Sequence, residues 1–478
     1  MAAPNYYMNI YVSVIGLSGA GGFFAKEFAR YAASLKDDET FFKLLLFDPE
    51  DVGQEDITKS VFLPQDVGWN RAAVLSGALR KAYPSITCIK GIARNFSEFE
   101  TSSVKRLFSD NYYELENDIY FLFDFTCIAK QERAVKKFWE GCKSCVTAIY
   151  RRNSISVASK ISSLVIANFD KVPVRKCKDS LSKMLCVSRI CLAFMVQFLS
   201  GGNISFDDIY FDGRFGVSLG RRPAEVVDTA ITFAKKTDSW LIVCVGAGGT
   251  GGNFTKELPH IMLGKENVSL LIIDGDRVEE KNLKRQPYGE QDIQQNKADI
   301  LCADLKTDYP MLSERIFSYP RYLDTAGDLS EAVMSCGESY DHMLLVGGVD
   351  NHAARRVMES FHNLYDSSVY IDAANEWSEG QTIISVRMDG KEISPVRSFY
   401  YPDVLTDASP SASERSCGEI NESSPQHICT NLCSAQMILS VVEPLIMDGK
   451  VMEELCILTH SHNFQGSSLL KRRIWYEN

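Results

Sequence analysis

The stretch WLIVCVGAGGTGGN, Trp240–Asn253, decides the fold of the second half of the chain. An apolar run breaks into five glycines within seven positions, and a helix-like segment follows. Short continuous apolar runs are typical of buried parallel strands. A glycine-rich turn into a helix lets backbone N–H groups approach a phosphate closely. The stretch therefore predicts a strand, a phosphate-binding turn and a helix, with nucleotide contacts at Gly246, Gly248, Gly249 and Gly251.

A second strand-like run, LLIID, ends in Asp274, and Asp276 follows two positions later. Carboxylates at this place in an α/β sheet accept hydrogen bonds from ribose hydroxyls. Enzymes that use NAD or FAD share this arrangement, and a close-packed turn without any ligand would also explain the glycines. These two segments alone leave the nucleotide open.

The polar residues that come next favour ATP. Within sixteen positions stand Asn282, Arg285, Gln286 and Lys297. Two cations beside a ribose carboxylate suit a triphosphate, because charge builds on the phosphates in the transition state. Asp350 ends a third strand-like run, LLVGGVD, and one carboxylate beside phosphates commonly holds Mg²⁺. The alternatives are a solvated cluster for the cations and a helix N-cap at Asp350 or Asn351.

The motifs GxGGxG, D-x-D, N-x-x-R-Q, K-A and D-N-x-x-x-R follow one another over about residues 240–386. In this order they resemble the adenylation domain of the ThiF/MoeB/ubiquitin-activating enzyme superfamily. The resemblance implies that ATP·Mg²⁺ adenylates the C-terminal glycine carboxylate of a ubiquitin-like or sulfur-carrier protein and that pyrophosphate is released. Seven positions match motif residues and take their implied roles: ribose binding by Asp276, phosphate contact by Asn282, Arg285 and Lys297, Mg²⁺ coordination by Asp350, and support by Gln286 and Arg355.

The first half of the chain carries a diverged copy of the same plan. From Asp48 and Asp274 onward the two halves align without a gap, and the copied glycine turn reads GLSGAG. Two cations and one carboxylate are kept at the aligned positions: Lys59 for Arg285, Arg71 for Lys297 and Glu50 for Asp276. Other site residues are lost: Ser18 stands for Gly248, Asp56 for Asn282, Ser60 for Gln286 and Ile128 for Asp350. Isoleucine cannot ligate Mg²⁺, so we expect the first half to be an inactive adenylation domain that supports the second.

These patterns predict an α/β fold of two tandem Rossmann-like, ThiF-type doubly wound sheets, the first degenerate and the second active. The predicted domains are an inactive adenylation domain at residues 1–160 and a helical connection at 161–225 that completes the first half. The active domain follows at 226–478, with a mobile cysteine loop near residues 400–429. The pairing of two such folds is a trait of the family, so the chain is expected to be a pseudo-dimer that can act as a monomer.

Enzymes of the ubiquitin-activating type pass the acyl adenylate to a cysteine thiolate. Cys417 is the main candidate, because it lies in a loop rich in serine, proline, aspartate and glutamate. Cys429, just ahead of a predicted helix whose N-terminus would lower a thiol pKa, is the second candidate, and Cys433 is expected in the core. The third alternative is an enzyme without a covalent cysteine. No zinc is predicted, because the single CxxC pair, Cys142 and Cys145, lacks a second pair.

Composition narrows the class of protein. The 478 residues are 45% hydrophobic and 24% charged, as in ordinary globular proteins. The net charge of −11 argues against a general nucleic-acid binder. The N-terminus lacks a secretory signal, the apolar runs, such as residues 190–199, are shorter than a membrane span, and the fourteen scattered cysteines suit a reducing cytoplasm.

We therefore expect a cytoplasmic, bacterial-type enzyme that activates a ubiquitin-like protein for transfer to a conjugating enzyme. It would use ATP and Mg²⁺ for C-terminal adenylation, and the acyl adenylate would then form a thioester with release of AMP. The alternatives are a sulfur-carrier or small-molecule adenylating enzyme without a covalent cysteine, and an NAD- or FAD-binding oxidoreductase. Related enzymes borrow an arginine from the partner domain, but none precedes Gly16 in this chain, which leaves Arg214, Arg221 and Arg222 as candidates.

Overall fold

The chain divides into two compact units, Met1–Val217 and Ser218–Asn478. The computed structural model describes residues 8–35, 40–108, 118–151, 154–161, 164–173, 180–199, 209–212, 216–219, 230–337, 339–408, 426–452, 455–461 and 470–472. The finer boundaries predicted at residues 160 and 225 stay a prediction. Each unit is described by itself.

The first unit alternates strands and helices along most of its length. Its strands are β1 (Met8–Ile15), β2 (Thr40–Phe47), β3 (Cys88–Ile92), β4 (Ile119–Asp124), β5 (Cys145–Arg151), β6 (Ser154–Ile161), β7 (Leu164–Pro173) and β8 (Ile209–Asp212), and β9 (Gly216–Leu219) lies at the unit boundary. Its helices are α1 (Ala20–Ser34), α2 (Arg71–Ala82), α3 (Thr101–Phe108), α4 (Ala129–Gly141) and α5 (Leu181–Leu199). Short 3₁₀ turns lie at Gln54–Thr58, Pro64–Asp66 and Phe96–Glu98.

The main sheet of the first unit has the strand order β3-β2-β1-β4-β5-β6-β7. The strands from β3 to β5 run parallel, and β6 and β7 continue the sheet antiparallel. The strand order therefore reverses at β1: β2 and β3 lie on one side of it, and β4 and the later strands lie on the other. In open α/β sheets such a switch point, at the carboxyl ends of the strands, is where ligands bind.

The second unit repeats the alternation. Its strands are β10 (Ala230–Thr232), β11 (Trp240–Val245), β12 (Val268–Ile273), β13 (Ile316–Tyr319), β14 (His342–Gly347), β15 (Ser368–Asn375), β16 (Glu379–Met388), β17 (Lys391–Ser394), β18 (Lys450–Met452), β19 (Leu455–Ser461) and β20 (Leu470–Arg472). Its helices are α6 (Gly249–Glu257), α7 (Pro259–Met262), α8 (Lys297–Asp308), α9 (Ala326–Met334), α10 (His352–His362), α11 (Arg397–Tyr400), α12 (Asp403–Thr406) and α13 (Ile428–Asp448). Short 3₁₀ turns lie at Glu280–Asn282, Glu290–Asp292 and Pro310–Arg315.

The large sheet of the second unit has the order β13-β12-β11-β14-β15-β16-β19-β20, with β17 paired to β16. Its parallel part, from β13 to β15, has the same order as the part from β3 to β5 in the first unit. The predicted α/β fold with two Rossmann-like sheets is confirmed. The switch point of this sheet lies between β11 and β14, directly beside the glycine turn.

The strands β11 and β12 explain why the sequence pattern was so clear. All six residues of each strand are buried, because helices cover both faces of a parallel sheet. On one face, residues of β11, β12 and β14 pack with α9 and α10 in a single apolar cluster that contains Val243, Leu271, Leu345 and Met358. A corresponding cluster in the first unit contains Tyr11, Leu45, Leu122 and Val135.

Helices α5 and α13 meet the length and hydropathy of membrane spans, with mean hydropathy of 1.5 and 1.3 over the most apolar window. Within the protein, 83% and 89% of these windows are buried. Helix α5 packs on α1, and α13 packs on α6. Both apolar segments are longer than the sequence runs suggested, so their burial, rather than their length, marks them as core helices.

Candidate active site

The glycine turn between β11 and α6 requires glycine at three of its four predicted positions. Gly246 has a φ of +91°, and a Cβ there would lie 2.7 Å from the carbonyl oxygen of Gly348. A Cβ at Gly251 would overlap the Gly246 carbonyl oxygen, and one at Gly249 would overlap the Asn431 side chain on α13. These glycines allow the turn to pack tightly between strand and helix.

Gly248 differs from the other three glycines because a Cβ at this position would have free space around it. The nearest atom to a Cβ there is the Gln286 Nε2, at 3.8 Å. Gly248 is the N-cap of α6 and carries no side chain to cap the helix. The first N–H groups of a helix have no partner within the helix, and a helix N-terminus without a side-chain cap is a suitable place for an anion.

Asp274 shapes the turn. Its carboxylate accepts hydrogen bonds from the backbone N–H of Ala247 at 2.6 Å and of Asp276 at 2.8 Å. Removal from water raises the pKa of the Asp274 carboxyl, while the nearby Lys297 charge opposes that rise. The predicted nucleotide contact of Asp274 stays a prediction, and each of its carboxylate oxygens accepts one hydrogen bond from the backbone.

Asp276 is held on both of its oxygens. Its Oδ2 accepts a hydrogen bond from the Lys297 Nζ at 2.8 Å, and its Oδ1 accepts one from the Tyr322 hydroxyl at 2.5 Å. Burial alone would raise the pKa of Asp276, but the charge and hydrogen bond of Lys297 bring it below its ordinary value. The carboxylate stays ionised and about one third exposed, as a ribose acceptor must be.

Lys297 is the first residue of α8 and is buried. The Asn296 side chain caps this helix by accepting from the N–H groups of Ala298 and Asp299. Burial lowers the pKa of Lys297, but the charges of Asp274 and Asp276, with a further contribution from Asp350, raise it overall. A fixed ammonium group thus stands beside the ribose carboxylate.

Asn282 and Gln286 are both buried. The Asn282 Oδ1 accepts from the Glu279 N–H at 2.9 Å, which closes a short capping turn, and its carbonyl accepts from the N–H of Gln286. The Gln286 Oε1 is buried and has no hydrogen-bond partner among the described residues, and its Nε2 lies 3.8 Å from the place of a Cβ at Gly248. An unsatisfied amide at this position is a group that a bound ligand can satisfy.

Arg285 and Asp350 lie close enough to interact. Burial lowers the pKa of Arg285, and the Asp350 charge opposes that effect. The Arg285 Nη1 donates to the Gln426 Oε1 at 2.7 Å. Asp350 is exposed, and its carboxylate makes no hydrogen bond or ion pair with the part of the chain that the structure describes. The charge of Asp350 therefore acts on both Arg285 and Lys297.

Hydrogen bonds of Arg355 hold the segment that carries Asp350 in place. Arg355 is buried and donates from Nη2 to the carbonyl of Val349 at 2.7 Å and from Nε to Asp372 at 3.3 Å. Asp372 also accepts from Arg397 at the start of α11. The N-cap of α10 is Asn351, which accepts from the Ala354 N–H at 2.8 Å. The N-cap alternative thus holds for Asn351 and leaves Asp350 available.

Asp350 fits a Mg²⁺ ion that also takes oxygens from nucleotide phosphates and water. Asp350 offers hard oxygen ligands at the carboxyl end of β14, and its charge acts on two cations that would meet the phosphates. Within the described ranges, no group of three or more His, Cys, Asp and Glu side chains is placed to hold a metal ion by itself.

The cysteine candidates differ in what the structure says of them. Cys417 lies outside the described residues, as do Arg214, Arg221 and Arg222. Cys429 falls inside the first turn of α13, not ahead of it, and is buried with 1% exposure. Cys433 is also buried. In the first unit, Cys142 and Cys145 are buried too.

The aligned positions of the first unit have the same backbone plan. Asp48 accepts from the N–H groups of Leu17 and Glu50, as Asp274 does from its own neighbours. However, Asp56 accepts from the Ser18 hydroxyl at 2.6 Å and from the Arg71 Nε at 2.9 Å. The place that is open in the second unit is occupied here by side chains of the protein itself.

One aligned pair needs a correction. Phe125 donates its N–H to Ile15, as Gly348 does to Val245, and these strand ends set the register of the following residues. Counting two residues on from each places Cys127 opposite Asp350, and Ile128 opposite Asn351. We predicted Ile128 opposite Asp350. The conclusion that the first unit lacks a carboxylate at this position is unchanged, because a cysteine is not a hard oxygen ligand.

Several residues of the site were not predicted. Tyr288 donates to the carbonyl of Ala247 at 2.6 Å, and Asn375 donates to Thr250 and to Asn431 on α13. The Tyr322 contact with Asp276 comes from the next strand of the sheet. The position of Tyr322, three residues after the end of β13, is a signal that becomes usable only once the strand order is known.

Part of the chain matches a known protein family. Residues 225–446, just under half of the chain, match the family described as "ThiF family". None of the curated proteins gives a significant match. Solved structures with a similar fold include PaaA, at 16% identity and a TM-score of 0.34, where the match covers 49% of this chain and 66% of PaaA.

Two structures of E. coli MccB also match. With succinimide, the identity is 14% and the TM-score 0.33, over 50% of this chain and 66% of MccB. With AMPCPP and MccA, the identity is 15% and the TM-score 0.32, over 48% of this chain and 65% of MccB. The chain thus spans slightly less than two thirds of the length of these proteins. The scores are too low to assign an activity.

Proposed function

Because residues 225–446 form a ThiF-family domain, we propose that the second unit uses ATP and Mg²⁺ to adenylate a carboxylate of a protein or peptide partner. The carboxylate oxygen would attack the α-phosphorus of ATP, the bond to the β-phosphate oxygen would break, and pyrophosphate would leave. The product is an acyl adenylate.

One observation supports this proposal above the others. The charge of the exposed Asp350 acts on both Arg285 and Lys297, Lys297 pairs with Asp276, and Gln286, the residue after Arg285, lies over Gly248. An oxidoreductase that uses NAD needs a ribose carboxylate and a glycine turn but has no use for two cations and an unengaged carboxylate at its pyrophosphate. A triphosphate that becomes more charged during reaction needs all of them.

Each side chain then has a distinct task. The N–H groups at Gly248 and the start of α6 bind phosphate oxygens, and Asp276 accepts from the ribose hydroxyls. Arg285 and Lys297 stabilise the negative charge that develops as pyrophosphate leaves. Mg²⁺, held by Asp350 and phosphate oxygens, would neutralise charge on the leaving group. The buried Gln286 Oε1 is satisfied by a ligand donor, and Arg355 positions the Asp350 segment.

A ubiquitin-like protein is the partner that the resemblance favours, with subsequent transfer to Cys417 and then to a conjugating enzyme. The described cysteines of the second unit whose burial is known are all buried: Cys244, Cys302, Cys336, Cys429 and Cys433. Cys417 therefore remains the main candidate for the thioester. The second candidate, adenylation without a covalent cysteine, is favoured by the burial of Cys429, and the two candidates share every contact of the nucleotide site.

ATP–pyrophosphate exchange tests the adenylation step. In the presence of a suitable acceptor carboxylate, the wild-type chain is expected to exchange pyrophosphate into ATP, and Asp350→Ala is expected to reduce the rate by about 100-fold or more. Asp366→Ala is the matched control, because Asp366 is exposed before the start of β15, at the opposite edge of the sheet. Exchange that survives in Asp350→Ala would show that the first unit is active.

Two further measurements separate the alternatives. Thermal stabilisation by NAD but not by Mg·ATP would overturn the adenylation proposal in favour of an oxidoreductase. Mass spectrometry after alkylation, with Cys417→Ala and Cys429→Ala compared, tests the thioester. Loss of a thioester with intact exchange in Cys417→Ala alone would identify the acceptor, whereas exchange without any thioester in the wild type would favour the second candidate.

A further inference from the structure

Tyr322 reaches the candidate ribose carboxylate from a neighbouring strand. Strand β13 lies beside β12, so the residues after its carboxyl end come next to those that follow Ile273. The Tyr322 hydroxyl donates to the Asp276 Oδ1 at 2.5 Å. A phenol that donates to a carboxylate at this distance makes a strong, charge-assisted hydrogen bond.

The ring of Tyr322 lies directly on Gly275, the residue between the two aspartates. A Cβ at Gly275 would come within 2.6 to 2.7 Å of three ring carbons. Because Gly275 does not have a positive φ, the backbone there does not require glycine. The ring itself requires it, and so the glycine in the sequence DGD is explained by the tyrosine.

The two bonds to Asp276 leave its carboxylate prepared for a diol. Tyr322 takes one lone pair of Oδ1 and Lys297 takes one lone pair of Oδ2. A carboxylate has about four acceptor sites, so about one remains on each oxygen. The side chain is about one third exposed, so these sites can still be reached. Two neighbouring hydroxyls of a ribose match two such acceptors.

The first unit has neither the tyrosine nor the glycine of this arrangement. Its strand β3 ends at Ile92, which accepts from the N–H of Asp48 as Tyr319 does from Asp274. Three residues later stands Asn95, which accepts from Gln131 and serves its own short turn. The residue opposite Gly275 is Pro49. Ring and glycine are thus both present in the unit with the open site and both absent from the other.

We propose that Tyr322 is a positioning residue that makes the nucleotide site selective for a ribose with free hydroxyls. This inference rests on the proposed function, since it concerns the same site. Tyr322 fixes the rotamer of Asp276 and forms the wall against which the sugar lies. Its hydroxyl does not touch the reacting atoms, so it acts on binding and on the choice of sugar.

The test compares ATP with 2′,3′-dideoxy-ATP, which keeps the base and phosphates but has no hydroxyl for Asp276. Dissociation constants are measured by calorimetry with Mg²⁺ for the full chain and for Tyr322→Phe, which keeps the ring and loses the bond. We expect the constant for ATP to rise by about three- to tenfold and that for the dideoxy analogue to stay the same.

Two variants complete the design. Gly275→Ala keeps the Tyr322 hydroxyl but displaces the ring, and it is expected to weaken ATP selectively as well. Tyr319→Phe is the matched control: it removes a phenol from the same strand whose hydroxyl bonds to Glu331 at 3.3 Å, so neither ligand should be affected.

Equal weakening of both ligands in Tyr322→Phe would overturn the proposal, because a general structural role moves both. ATP binding that is unchanged or tighter in Tyr322→Phe would overturn it too, and would leave adenylation standing. A wild-type chain that binds neither ligand would overturn the proposed function together with this inference.

Discussion

The two glycine turns of this chain have the same backbone and different surroundings. In the second unit, Gly248 has no atom closer than 3.8 Å to the place where a side chain would begin. In the first, Ser18 stands there, and its hydroxyl bonds to Asp56 at 2.6 Å. The next glycine of the first turn, Gly19, faces the Met184 sulfur at 2.7 Å from its would-be Cβ, where the second unit has Asn431.

The cations differ in what holds them. Lys297 has one ion-pair partner, Asp276, at 2.8 Å, and Asp276 is partly exposed. Arg71, at the same position in the first unit, faces Glu50 at 2.6 Å, Asp56 at 2.9 Å and Asp48 at 3.7 Å. Burial lowers the pKa of Arg71, but these carboxylates raise it overall.

The comparison shows how one turn can serve two purposes. In the first unit a protein carboxylate, Asp56, takes the bonds from a hydroxyl and a cation that a phosphate could otherwise take. In the second unit the neutral Asn282 replaces Asp56, Gly248 carries no side chain, and Lys297 pairs with Asp276 instead. We infer that the first turn stabilises its own unit, whereas the second binds a nucleotide.

The largest expected effect follows from removing the first unit's cation. Arg71→Ala leaves Asp48 and Asp56 buried, with 3% and 1% exposure, and without their partner. Breaking a buried ion pair in this way costs about 3–5 kcal/mol of unfolding free energy. Urea unfolding that is monitored by hydrogen exchange of the first unit's amides measures the loss of unfolding free energy.

Arg94→Ala is the control for this change, because Arg94 pairs with Glu98 at 2.9 Å on the surface. An exposed pair is worth about 0–1 kcal/mol. Pyrophosphate exchange per folded molecule should be retained in both variants. Equal, small losses of stability would contradict the idea that Arg71 serves the structure of the first unit.

The aligned change in the second unit should act on chemistry. In Lys297→Gln we expect pyrophosphate exchange to fall by about 100- to 1000-fold, as when one preorganised group that stabilises developing charge is removed. Lys256→Gln, which breaks a pair with Asp304 at 2.7 Å on α6 and α8, is the control. Folding of both variants is checked by circular dichroism. Full exchange in Lys297→Gln would mean that the cations have the same structural role in both units.

The sequence allowed much of this comparison to be predicted. The strand–turn–helix plan, its repetition and the list of aligned polar residues followed from local patterns, because apolar runs and glycines report on buried strands and tight turns. The gap-free alignment from Asp48 and Asp274 is confirmed by equivalent bonds: Asn70 and Asn296 each donate to two carbonyls of the preceding loop.

Other features depend on contacts that no local pattern contains. The carboxylate of Asp274 is used by the turn itself, which only the path of the backbone reveals. The one-residue shift at Cys127 and Asp350 follows from strand register, which matching of letters cannot detect. Tyr322 meets Asp276 because β12 and β13 are neighbours in the sheet although 46 positions separate the two residues.

A third difference between the units is their histidine content, and it predicts a selective effect of acid. All seven histidines lie between residues 260 and 462, so the first unit has none. Burial lowers the pKa of His362 to about 4, and its Nδ1 bonds to the Ser368 hydroxyl at 2.7 Å. The unfolded chain protonates this group near pH 6.5.

Because the folded pKa of His362 is below the unfolded value, the stability of the second unit is complete above pH 6.5 and falls as pH drops toward 4. The loss attributable to His362 is about 2 kcal/mol at pH 5 and about 3 kcal/mol at pH 4. Hydrogen exchange at pH 7 and pH 5 would show it in the second unit. In His362→Gln the pH dependence should become shallower by this amount. An unchanged slope would contradict the assignment.

The smallest effect comes from exchanging one residue between the turns. Gly248→Ser installs the first unit's residue; its Cβ has free space, but the ψ of −141° at Gly248 lies outside the usual strand and helix regions. We expect the unfolding free energy to fall by about 1 kcal/mol because of this backbone conformation, and the dissociation constant for Mg·ATP to rise about tenfold, because the new side chain competes with a phosphate for the N–H groups of α6. Calorimetry measures both ligand affinity and unfolding.

Gly337→Ser, at an open glycine in a surface turn after α9, is the control for the substitution itself, and its φ of +72° adds some strain there. If Gly248→Ser bound ATP as tightly as the wild type, the open space above Gly248 would not be the phosphate site, and the contrast between the two turns would be one of packing alone.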